Sequence, residues 1–150
     1  MSGKAMLFAI LILVLIVPPC LGNEGLIELY PNHYGPNPHD SYGFSCKTDA
    51  NKNQDINFIS NKIRCKNDDA KSMVLYGFFQ KGTTIILYDH PDGKRSDDWF
   101  EIVFLSDMTR VRYVIQTFEY SFQDIFIKAT YHKKNGLNGK VSRMEIRVPH

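Results

Sequence analysis

Four places in this chain of 150 residues carry side chains that could do chemistry. In Asp89-His90-Pro91-Asp92 an imidazole stands between carboxylates, the arrangement of a general base steadied by an acid. A few residues on, Asp97 and Asp98 precede Trp99, the chain's one tryptophan. Two adjacent carboxylates repel, so something must offset them. The candidates are Lys94 and Arg95 just upstream, a backbone amide at the start of a strand, or a hard cation that takes oxygen ligands. His132-Lys133-Lys134 has the composition of an anion site, as in a small secreted nuclease. Finally, His33 and His39 lie with Tyr34 and Asp40 in a segment rich in Pro, Asn and Gly, at a spacing that matches no standard metal site.

The cysteines are informative about compartment. Residues 1–22 read as a secretory signal peptide: Lys4, then the unbroken apolar run Leu7–Val17, then Pro18-Pro19 and the small-residue stretch Cys20-Leu21-Gly22. The apolar run has 11 residues, well short of the roughly 20 that a spanning helix requires, and no later run is longer. The expectation is a secreted, extracellular chain with no transmembrane segment after cleavage. Cys20 would leave with the signal, so Cys46 and Cys65 remain, and an oxidising compartment makes their disulfide the default. It closes a loop of about 20 residues, worth roughly 3 kcal/mol in the chain-entropy model. Two thiolates without a nearby histidine pair make a poor zinc site.

The elements that would position these residues are strands. Thr83–Phe104 holds two β-branched and aromatic runs, Ile85–Tyr88 and Trp99–Phe104, joined by the turn-rich segment His90–Asp98. Further strands are expected at Ser41–Lys47, Ile56–Cys65, Met73–Gln80, Arg110–Glu119 and Ile125–His132, with Thr48–Asp55 a polar loop. The last strand, Val141–Val148, sets Met144, Ile146 and Val148 on one face and Arg143, Glu145 and Arg147 on the other. Asn135-Gly136-Leu137-Asn138-Gly139 is a turn, since Asn-Gly tolerates positive φ. The segment 23–40 is expected to be irregular, because its prolines remove backbone donors. No stretch has a capped helical period. About eight strands at this spacing predict one all-β domain, a Greek-key sandwich or barrel over residues 41–150.

Two stretches resemble a known family. Ile86-Leu87-Tyr88-Asp89-His90-Pro91-Asp92-Gly93 is similar to the aromatic-to-glycine fold of a βγ-crystallin Greek-key motif. Leu137-Asn138-Gly139-Lys140-Val141-Ser142-Arg143-Met144-Glu145-Ile146 resembles the closing turn and strand of such a motif. The resemblance implies a secreted sandwich of paired Greek keys, structural or Ca²⁺-binding in many members. The family's calcium loop has two Asp/Asn, two free positions, then Ser/Thr and Ser. Asp68–Met73, Asn138–Arg143 and Asp97–Ile102 each depart from it, by losing an oxygen ligand or gaining a positive charge.

The formal charge of +2 offers no argument for nucleic-acid binding, which needs a clustered basic face. No serine stands in a Gly-x-Ser-x-Gly turn. The reading is a non-catalytic secreted protein, structural or binding an extracellular ligand (a glycan, a protein or a membrane surface). It takes no cofactor beyond weak calcium. Asp97, Asp98, Asp92 and His90 are its site residues, and Trp99 is packed behind them. The alternatives are a toxin-like or antimicrobial effector acting on membranes or glycans, and a small hydrolase using His90 or His132.

Overall fold

A computed structural model describes residues 25–33, 35, 43–60 and 65–150. The expected signal peptide, Cys20, Tyr34, His39 and Asp40 lie outside the described residues. Among those that are described there is no helix, and therefore none long and apolar enough to cross a membrane.

Among the described residues, ten strands form two antiparallel sheets. They are β1 (Leu26–Tyr30), β2 (Cys46–Asp49), β3 (Gln54–Asn57), β4 (Ser72–Phe79), β5 (Thr84–Tyr88), β6 (Trp99–Phe104), β7 (Met108–Ile115), β8 (Phe122–Gln123), β9 (Ile127–His132) and β10 (Arg143–Arg147). The four-stranded sheet runs β2-β1-β4-β7 and the six-stranded sheet β3-β10-β5-β6-β9-β8. Their inner faces meet in one core. Ile27, Leu29, Met73 and Leu75 come from the first sheet, and Ile85, Leu87, Phe100, Ile102, Met144 and Ile146 from the second, all buried. Phe79 of β4 stacks on Phe104 of β6 across the gap, ring centroids 4.7 Å apart. The period-two alternation expected for the last strand is present, with Met144 and Ile146 inside and Arg143, Glu145 and Arg147 outside.

Among the described residues, the all-β class and the Cys46–Cys65 disulfide match expectation. The disulfide ties β2 to the segment that leads into β4, and both cysteines are buried. Several boundaries differ. Where an irregular arm was expected, Leu26–Tyr30 is a strand at the interior of a sheet, paired to β2 and to β4. Its outward Glu28 is buried, with Lys47 Nζ 2.9 Å away and the Tyr30 hydroxyl donating to it at 2.6 Å. A charged residue in a five-residue run hides such a strand from sequence reading. The expected strand Ile56–Cys65 ends instead at Asn57, whose side-chain oxygen accepts the amides of Ile59 and Ser60. This side-chain turn offers the backbone an alternative to the ladder. The polar stretch Thr48–Asp55 is not all loop: it completes β2 and opens β3. Asp124 likewise delays β9 to Ile127 by accepting the amides of Phe126 and Ile127. Within β4 a bulge falls between Gly77 and Phe79, and Gly77 takes φ 84°, a conformation that glycine adopts without strain.

Candidate functional site

The loop between β5 and β6 is closed at its base by the Asp89 amide donating to the Asp98 carbonyl at 3.0 Å. Within it, the Gly93 amide donates to the His90 carbonyl at 2.9 Å, and Gly93 takes φ 68°. A side chain at Gly93 would press on Arg143 as well. His90 Nδ1 accepts the Asp92 amide at 3.1 Å, so this imidazole braces the turn. The Pro91 carbonyl accepts from Asn57 at 2.9 Å and from Arg143 at 3.1 Å, which fixes the loop to β3 and β10.

Asp98 is the anchor. It is completely buried. Its Oδ1 accepts the Tyr131 hydroxyl at 2.7 Å and the Lys134 amide at 2.6 Å, and its Oδ2 accepts the Asn135 amide at 2.7 Å. Burial alone would raise its pKa, but the amides of Asn135 and Lys134, the Tyr131 hydroxyl and the Gly136 amide outweigh it and hold the carboxyl below its ordinary value. Of the three offsets the sequence allowed for this acidic pair, backbone amides serve Asp98, and they come from the β9–β10 connection. Two lysines of that connection are engaged too. Lys134 Nζ donates to the Ser96 carbonyl at 2.6 Å, and Lys140 Nζ to the Asn135 side chain at 2.7 Å.

Asp97 and Asp98 are joined by Asp89: one carboxylate oxygen from each lies within 4.8 Å of the others. Asp89 is pushed above its ordinary pKa, first by burial and then by the charge of Asp97. Lys140 opposes the shift, while Asp98 and Asp68 add to it. The loops weighed separately in the sequence therefore converge at one end of the sandwich. Asp68 accepts the Ser142 hydroxyl at 3.3 Å, the Gly139 amide donates to the Ala70 carbonyl and the Ser142 amide to the Tyr88 carbonyl. Three carboxylates are hard oxygen donors that suit a divalent cation completed by water. Asp98 brings few free lone pairs, and Lys140 adds a positive charge nearby. Asp92 stands apart. It is exposed, its carboxylate 3.9 Å from both His90 Nδ1 and Lys94 Nζ. Asp89, read in the sequence as a partner for His90, is the member of the cluster that spacing alone did not single out.

Trp99 is buried as expected, but it faces outward. On β5 and β6 the residues Ile86, Tyr88 and Trp99 form a small cluster of their own on the outer face of the six-stranded sheet. The His132 ring lies flat on the indole, centroids 3.5 Å apart and planes 5° from parallel. The Arg95 guanidinium sits 4.2 Å from the indole centroid. With the imidazole on one side of the ring, the guanidinium must take the other. Arg95 also ion-pairs with Glu101 at 3.8 Å. Around this cluster runs an ionic lattice. Glu145 accepts from Arg147 at 2.7 Å and from the Tyr88 hydroxyl at 3.3 Å, and lies 3.6 Å from Arg143 Nε; Arg143 also pairs with Asp55. Burial and then the charge of Glu145 raise the Tyr88 pKa, against the pull of Arg95 beside its hydroxyl.

No protein-family model matches the chain, and neither a curated protein nor a solved structure matches it.

Proposed function

We propose that this is a secreted, non-catalytic β-sandwich of βγ-crystallin-like Greek keys, with a structural or ligand-binding role outside the cell and a weak divalent-cation site at the end where its loops converge. The observation that carries the cation site is the approach of Asp89, Asp97 and Asp98 to within 4.8 Å of one another. The Asp89 pKa is raised first by burial and then by the charge of Asp97, and a bound cation would oppose both. The non-catalytic reading is supported by the two histidines. His90 is occupied in bracing a turn and His132 in covering the indole. The disulfide is compatible with an extracellular life.

Calorimetric titration of the protein with Ca²⁺, with Mg²⁺ as control, tests the site. The expected affinity is about 10⁻⁴–10⁻³ M, the class of extracellular modules, because Lys140 and the amides on Asp98 already offset part of the negative charge. An Asp89→Asn/Asp97→Asn variant should lose the heat. A titration without heat in the parent protein would strip the cation from this proposal and leave the structural role.

A further inference from the structure

We propose that the slot formed by the Trp99 indole, the Tyr88 hydroxyl and the Glu101 carboxylate is a recognition site for the guanidinium of an arginine on a partner protein, closed in the free protein by Arg95. This rests on the reading of the protein as a binding module, but not on the carboxylate cluster. The outer face of an antiparallel sheet is normally polar, yet Ile86, Tyr88 and Trp99 lie there at 0%, 2% and 8% exposure. Long side chains cover them. Arg143 and Glu145 belong to an interlocked lattice, and His132 is held flat on the ring. Arg95 is different. It stands on an exposed turn, its side chain is 50% exposed, and its ion pair with Glu101 spans 3.8 Å. A pair of that exposure and length is a weak restraint.

The occupant identifies the ligand chemistry. Around the Arg95 guanidinium are an aromatic face, a phenol oxygen and a carboxylate. A planar cation can stack on the ring and still donate in its own plane to the carboxylate. An ammonium, compact and strongly hydrated, cannot do both. Exchange of Arg95 for an incoming arginine keeps the charge of the slot constant. Glu101 is never left alone, and the indole is never left bare. An uncharged or acidic group in the same place would leave Glu101 without a partner. The exchange is intramolecular against intermolecular, so Arg95 acts as a tethered competitor that sets the threshold for binding.

The single tryptophan of the chain makes its fluorescence a reporter of this slot. The probe is N-acetyl-arginine amide, with the uncharged isostere N-acetyl-citrulline amide as control, in calcium-free buffer. Arg95→Ala should respond saturably to the arginine probe and not to citrulline. The parent protein should respond in the same way at about tenfold higher probe concentration, reflecting the tethered competitor. Adding Glu101→Gln to Arg95→Ala should abolish the response. A response to citrulline equal to that of arginine, or no saturable response in Arg95→Ala, overturns the proposal. Should Arg95→Ala fail to fold, the parent titration decides alone: a saturable arginine-specific change supports the slot, and none rejects it. A silent calcium titration beside a positive result here removes only the carboxylate site, and the converse removes only the slot.

Discussion

β6 buries aromatic rings on both of its faces, by different means. Phe100 and Phe104 point inward, where Phe118, Phe79 and aliphatic residues of both sheets surround them. Trp99 points outward and is sealed by Arg95 and His132. The inner seal is close-packed and has nowhere to go. The outer seal consists of polar side chains with solvent as an alternative home. Burial by itself therefore does not say that a residue belongs to the core; what covers it decides how firmly it is held.

The largest effect should expose that contrast directly. Phe100→Ala should destabilise by about 3–5 kcal/mol, the range for large aromatic truncations in a packed core. Trp99→Ala should lose about 2 kcal/mol, because its long neighbours can settle into the space and the cost of a cavity depends on such collapse. Denaturant unfolding followed by circular dichroism measures both. Equal losses would mean that the outer seal is as rigid as the core.

The loop end should match the outer seal in size. Asp98→Asn keeps the shape of the side chain but not its charge, and is expected to lose about 2 kcal/mol at neutral pH, the cost of weakening charge-assisted hydrogen bonds. Because the folded carboxyl sits below its ordinary value, the stability it contributes is present above the unfolded value near pH 4 and lost as pH falls through the lower folded one. The variant should therefore converge on the parent protein under acid. Thermal unfolding against pH checks this, and a constant gap down to pH 2 would contradict the assignment.

The smallest effect has the opposite sign. Asp89 is raised in the folded protein, so its ionisation opposes folding as pH rises through that raised value. Asp89→Asn should be more stable than the parent protein at pH 7, by under about 1 kcal/mol for a partly exposed group. The gain should vanish well below the unfolded value near pH 4, where the parent carboxyl is protonated in both states. A loss of stability at pH 7 would show that the Asp89 charge is already offset.

Strand existence and the inner face were legible in the sequence wherever a run was long or alternated strictly, as in Met73–Gln80, Trp99–Phe104 and Val141–Val148. The disulfide was legible from two remaining cysteines. Boundaries set by a single side chain were not, because Asn57 and Asp124 end or delay strands through hydrogen bonds that composition does not mark. Trp99 was legible as buried but not as outward-facing. Its position next to Phe100 left the face undecided until the register with β5 and β9 fixed it. Asp89 was visible as an acid, but its approach to Asp97 and Asp98 depends on loop closure across nine residues.

The places of β1 and β10 set the order in which this chain can be made into a protein. β1, early in the sequence, lies inside the four-stranded sheet and must wait for β4. β10, late in the sequence, lies between β3 and β5, so the six-stranded sheet stays split until residue 147 has left the ribosome. Pairings so distant in sequence are slow to form. Without β10, β3 and β5 would each keep an open strand edge. β10 acts, in effect, as the checkpoint for the six-stranded sheet.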